Sequence, residues 1–242
     1  MFTAIDTIPT REQLVYRRLR QAIIDGTLQP GQEVVVARVA AQLGVSRIPV
    51  MQACKRLVGE GFLVSNPWRS ATVVSLTEER ILEGKEVLLA LECLALEHAV
   101  RHLTEDDLAH CTELNRAVRD FRPQPGSLTP NTADQDFHAA LWRAARKPYL
   151  EQQIRLVYDQ NEPARALGRR SRDPARSAGE HEAILEALRR RDLGRAQAAL
   201  RRHRDRGTEV EVEVLRQLRQ EASSAGSQPQ DSSGAAPGDS EP

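Results

Sequence analysis

The chain has 242 residues, with 34 lysines and arginines balanced by 34 aspartates and glutamates. That length suffices for two modest cores, and the balanced charge argues neither for nor against nucleic acid. No stretch approaches the roughly eighteen apolar residues of a membrane span, and the N-terminus lacks the apolar core of a signal peptide, so we expect a cytoplasmic protein with no membrane partner. The three cysteines, Cys54, Cys93 and Cys111, are isolated among apolar residues and read as small core hydrophobes in a reducing compartment.

Charge is unevenly distributed. Residues 1–77 hold nine lysines and arginines against five acids, a basic head on an acidic body. The first predicted helix opens at Thr10 with Gln13 as a capping box, turns Val15, Leu19, Ala22 and Ile23 inward, and ends at Gly26. After the turn Pro30-Gly31, a short helix carries Val36, Val39, Ala40 and Leu43 inward and stops at Gly44. Ser46 caps the next helix, and Pro49 falls in its first turn, where the missing N–H has no partner to lose. Val50, Ala53, Cys54, Leu57 and Val58 face its core, which leaves Arg47, Met51 and Lys55 on an exposed ridge with Ile48 and Gln52 beside it. Beyond Gly61 the period changes to two, predicting strands over Phe62–Ser65 and Ala71–Leu76 around a turn that holds Trp68 and Arg69. Two helices, a tight turn and a hairpin have the arrangement of a winged helix-turn-helix. Trp68 is expected to pack under the hairpin.

From Thr77 the strand signals vanish. Helices are predicted over 78–102, 104–120, 131–146, 148–167, 177–190 and 192–221, with a Pro/Gly-rich break at 122–130 and a basic loop at 168–174. The fold class is therefore mainly α: a winged helix-turn-helix over residues 8–77, an all-helical bundle over 78–221, and a Ser/Gly/Pro-rich tail over 222–242 that is expected to be disordered.

Four side chains in the bundle carry potential chemistry. Asp134 and His138 are spaced i, i+4 and share one helix face. His181 lies on the stripe Ile184, Leu185, Leu188, and His203 continues the stripe Ala196, Ala199, Leu200. A single histidine on such a face is most often a hydrogen-bonded core residue, and His98 and His102 are also i, i+4, so spacing alone is weak. Three imidazoles and a carboxylate on apolar stripes suit Zn²⁺, Ni²⁺, Mn²⁺ or Fe²⁺, and zinc is the ion we expect.

The strings Leu43-Gly44-Val45-Ser46-Arg47-Ile48-Pro49-Val50, Arg56-Leu57 and Glu60-Gly61 resemble the reading head of the GntR family of bacterial transcription regulators. Asp134, Phe137-His138, Glu180-His181 and His203 resemble its FadR-type effector-binding domain. The resemblance implies a homodimer reading a near-palindromic operator in double-stranded DNA, with no enzymatic activity. It also implies a divalent ion held by Asp134, His138, His181 and His203, and a small carboxylic acid as effector. The DNA-contacting set becomes Arg38, Ser46, Arg47, Ile48, Met51, Gln52 and Lys55, with Arg69 on the wing. Two positions depart from the family: Met51 replaces a usual arginine, and Leu88 replaces an arginine that in many relatives can face an acidic effector. The alternative reading is a helical interaction module with a structural metal and no sequence-specific DNA binding.

Overall fold

The computed structural model describes residues 9–66, 70–122 and 132–225. Helix α1 (Arg11–Ile24) opens on the expected capping box. Thr10 Oγ1 accepts from the Gln13 N–H at 3.2 Å, and the Gln13 side chain accepts from the Thr10 N–H at 3.0 Å, so two donors at the helix start gain partners. Helix α2 (Val36–Leu43) stops at Gly44, whose φ of 63° is a left-handed conformation that glycine adopts without steric cost. Helix α3 (Arg47–Gly59) buries Val50, Ala53, Cys54 and Leu57 and packs on α1 and α2. Ser46 has the extended backbone of an N-cap, but its side chain makes no capping bond.

Three short strands complete the head: β1 (Glu33–Val35), β2 (Leu63–Ser65) and β3 (Ser70–Val73), antiparallel in the order β1-β3-β2. β1 is not among the predicted strands, being only three residues long; it exists through pairing across the sheet, with Val34 opposite Ala71. The predicted hairpin strands are longer than those observed. Phe62 instead closes the turn after α3, its N–H donating to the Leu57 carbonyl at 2.9 Å, and Leu76 leaves the sheet to pack beside Ile81. Trp68 and Arg69 lie outside the described residues.

The body consists of α4 (Glu78–His102), α5 (Glu105–Asp120), α6 (Thr132–Ala144), α7 (Pro148–Gln160), α8 (Glu162–Gly168), α9 (Pro174–Arg189) and α10 (Leu193–Ala225). The single helix predicted over 148–167 is two, broken at Asn161. Pro163 lacks an N–H and its ring crowds the carbonyl four residues earlier, so α7 ends and α8 starts with this proline in its first turn. α9 begins at Pro174 rather than 177, because the Asp173 side chain caps it by accepting from the Ala175 N–H at 2.9 Å. α10 runs to Ala225, so residues 222–225, expected to be disordered, are helical; the rest of that tail lies outside the described residues. Among the described residues no helix is long and apolar enough to cross a membrane.

α4 packs on α6, α7 and α10, while α9 is held between α5 and α10. Phe137, Leu141, Ile184, Leu185, Leu188 and Leu200 fill the core between them. Head and body meet through a small apolar cluster of Leu76, Ile81, Ala164, Val212 and Leu215. An Arg20–Asp159 ion pair and a hydrogen bond from the Gln160 amide to the Glu60 carbonyl reinforce that contact.

Candidate metal centre and nucleic-acid face

The bundle brings Asp134, His138, His181 and His203 together from α6, α9 and α10, and one ligand atom from each lies within 4.8 Å of every other. The apolar stripes explain why. Phe137, Ile184 and Leu200 are buried on the same faces, so their neighbouring imidazoles are carried inward: His138 and His181 are fully buried, and His203 nearly so. Nε2 of His138 is 3.2 Å from Nε2 of His203, and Nε2 of His181 is 3.6 Å from Oδ1 of Asp134. His98 and His102 do not join; the first is half-buried and the second exposed.

The outer nitrogens are held by Asn115, absent from the sequence reading, and by Glu180, whose role there was not read. His181 Nδ1 meets Asn115 Oδ1 at 3.1 Å, while the Asn115 amide nitrogen donates to the Ala178 carbonyl at 3.0 Å. His203 Nδ1 meets Glu180 Oε2 at 2.9 Å. Because an amide oxygen and a carboxylate only accept, both histidines carry a proton on Nδ1 and turn Nε2 into the cluster. His138 is arranged differently: its Nδ1 lies 3.9 Å from Glu92 Oε1 and has no hydrogen-bond partner among the described residues. Glu92 itself is buried and accepts from Trp142 Nε1 at 2.9 Å and from Arg204 Nε at 2.7 Å.

Electrostatics favour a ligand-ready state. Burial, joined by the charge of Arg204, pushes His138 well below the ordinary histidine range. Burial, joined by His203, lowers His181 to about 3. Burial alone would raise Asp134, yet the neighbouring His181, His203, Arg172 and Arg204 hold it below the ordinary carboxylate value. The two imidazoles are thus neutral and the carboxylate ionised near neutral pH, the forms that coordinate a cation.

The donor set fits a divalent ion on a further ground. Nε2 of His181 is buried with no hydrogen-bond partner among the described residues, a cost that coordination removes. With all three Nε2 lone pairs engaged, His138 would keep its proton on Nδ1, facing Glu92. Beside the cluster lies a cavity of about 120 Å³ whose walls include His203, Glu180, Arg172, Gly207, Glu211 and Leu88.

On the head, Arg38, Ser46, Arg47, Ile48, Met51, Gln52 and Lys55 are all exposed. Ile48 and Met51 are 63% and 46% exposed, so two large apolar side chains stand on the surface uncovered among the described residues. Arg56, on the same helix, is engaged: its guanidinium stacks 3.8 Å from the Tyr16 ring and pairs with Glu60 at 2.9 Å. Arg47 and Lys55 stand exposed on the same helix.

A winged reading head on a helical ligand-binding body is the plan of a DNA-binding transcription regulator, and not of an enzyme. The chain belongs to the GntR family of bacterial regulatory proteins: residues 11–74 match that family and residues 85–206 match the FCD domain, its all-helical effector-binding partner. It is 27% identical to the transcriptional regulator McbR of Escherichia coli K12 over 140 residues, a match spanning 58% of this chain and 63% of McbR. It is 26% identical to the transcriptional repressor RspR of the same organism over 228 residues, covering 90% of this chain and 93% of RspR. The solved E. coli McbR/YncC structure shares the fold, with a TM-score of 0.71 at 22% identity over 85% of this chain and 99% of that one.

Proposed function

We propose that this regulator is a cytoplasmic homodimer whose paired heads read a near-palindromic operator, and whose operator affinity is set by a small carboxylic acid bound beside a zinc ion. Nickel or manganese would suit the same donors. The observation that carries this reading is the pair of hydrogen bonds by which Asn115 and Glu180 hold Nδ1 of His181 and His203 and turn both Nε2 atoms toward Asp134 and His138 next to a cavity. Asp134, His138, His181 and His203 would hold the ion, and when bound it would supply a Lewis-acidic position for a carboxylate oxygen. Asn115 and Glu180 orient their histidines; Glu92 and Arg204 close the floor with a buried ion pair.

Coupling to DNA is supported by the same helices. α10 lines the cavity through His203, Gly207 and Glu211, and one residue further on Val212 packs with Leu76 and Ile81 at the base of the wing. Asn161 and Ala164 line the cavity too, and Asp159 and Gln160 beside them contact Arg20 and Glu60 of the head. An effector that favours one packing of α8 and α10 biases the orientation of the heads, typically by about 1–3 kcal/mol, and DNA must alter effector affinity by the same factor. The basic ridge reads the operator, with Arg47 the main polar reader and Met51 placed to meet a thymine methyl; Arg38, Lys55 and Arg69 contact the backbone.

A purely structural ion is the second reading, favoured by the full burial of His138 and His181 away from solvent. In that case His181→Ala would destabilise the fold without selectively changing effector affinity. The principal test is to incubate the protein with sheared genomic DNA of its source, wash at moderate salt and sequence what stays bound. Enrichment of a near-palindromic site is expected; uniform recovery across the genome would overturn the reading.

A further inference from the structure

Position 88 in the cavity wall is Leu, 4% exposed, so that turn of α4 offers no cation, and Lys85 one turn earlier is paired with Asp205 at 2.6 Å. The loop before α9 offers one. Arg172, in the loop before α9, reaches across to Glu211 on α10, and its Nε is buried without a hydrogen-bond partner among the described residues. Two glycines make the space for this pair. A Cβ at Gly207 would stand 3.1 Å from an Arg172 terminal nitrogen, and one at Gly168 would stand 3.3 Å from Glu211 Cγ and 3.6 Å from Arg172 Nε. Glycine inside α10 disfavours the helix, and its place under a guanidinium supplies a reason for it.

His203, Gly207 and Glu211 follow one another at four-residue steps along a single face of α10. At a rise of about 1.5 Å per residue, the guanidinium over Gly207 lies roughly 6 Å along the helix from the level of His203. An anion at Arg172 and a carboxylate at the histidine cluster would therefore be separated by the length of a short carbon chain.

We propose that Arg172, seated over Gly207, is a second anion-reading position in the cavity, and that the effector is a dicarboxylic acid of about four to six carbons. One carboxylate faces the histidine cluster and the other takes the place of the Glu211 carboxylate on Arg172. This rests on the effector-binding role proposed above for the same cavity. It assigns to this chain a cation on the α9 side in place of the one missing at Leu88. Displaced Glu211 would transmit the event through Val212, its neighbour in the junction cluster.

The test is calorimetric titration of the zinc-loaded full-length protein with succinate, glutarate and adipate, each paired with the monocarboxylate of equal length. At least one diacid is expected to bind roughly tenfold or more tightly than its monoacid, the gain of a charge-assisted guanidinium–carboxylate contact. Arg172→Met should abolish that ratio while leaving uptake of one zinc per chain and helical content intact. Gly207→Ala, a change that favours the helix itself, should reduce the ratio by crowding the guanidinium with the charge retained. Equal affinities for diacid and monoacid at every length, or a ratio that survives Arg172→Met, would overturn the proposal. The monoacids titrated into zinc-free protein separate this from the effector-binding role: monoacid binding that needs zinc keeps that role standing even where the ratio fails.

Discussion

Asn115 fixes the tautomer of His181. Its amide nitrogen is committed to the Ala178 carbonyl, so its oxygen must face His181 Nδ1 and accept from it. Replacing Asn115 with Ala frees the ring to rotate and change tautomer, and losses from such outer contacts are typically about 10–100-fold in metal affinity. We expect Asn115→Ala to weaken zinc binding within that range with the fold intact, as read by competition with a chromophoric chelator. Unchanged affinity would remove Asn115 from the centre.

Acid should destabilise the zinc-free protein earlier than it destabilises an ordinary helical domain. Burial holds His138 well below the usual range and His181 at about 3 in the folded chain, whereas an unfolded histidine binds its proton near pH 6.5. Between these values the unfolded state binds more protons, so stability is retained above about pH 6.5 and declines as pH falls toward 3. Each histidine contributes up to about 1.4 kcal/mol per pH unit in that window. Asp134, held low, adds a loss of the same sign at the acidic end. Urea unfolding of chelator-stripped protein at pH 7.5 and 5.5 should differ by about 2.7 kcal/mol; equal midpoints would mean that the imidazoles are already charged in the folded state.

Arg47 and Met51 divide the reading of DNA. Arg47→Ala should cost about 1–3 kcal/mol at the preferred operator and relax preference at one base pair. Met51→Arg should change which bases are selected and steepen the salt dependence by one phosphate contact if the new guanidinium finds the backbone. Unchanged affinity and unchanged preference in a binding-site selection would leave Met51 without a role in recognition.

The Arg20–Asp159 pair joins α1 of the head to α7 of the body and is partly exposed on both sides. Such a pair adds little to stability, about 0–1 kcal/mol, so Asp159→Asn should barely change the melting temperature. We expect it to change the factor by which effector alters operator affinity, because the head loses a contact that depends on its orientation. A coupling factor identical to wild type would place the transmission in the Leu76 cluster and the Gln160–Glu60 hydrogen bond.

What the sequence made legible was local. Thr10 with Gln13, Gly44 after α2, and the apolar stripes around His181 and His203 each act within one helix, and each stands as expected. Pro163 was an equally local signal for the break between α7 and α8, and it went unread. Glu92 could have been found as a carboxylate on the buried stripe of Leu88, Leu89 and Leu96, which required a partner from elsewhere. The identity of that partner, Arg204, depends on how α4 packs against α10, as the contact between Asn115 and His181 depends on α5 against α9. β1 has the same origin, since three residues carry too short a pattern to read until β3 lies beside them.

Zinc titration of chelator-stripped wild type and His181→Ala tests the central claim, that these four side chains form a divalent-ion centre. The wild-type protein should take up one ion per chain and gain about 2.7 kcal/mol of stability at an ion concentration a hundredfold above the dissociation constant, whereas His181→Ala should lose most of that affinity. Absence of uptake by the wild type, or equal uptake by the variant, would contradict the account.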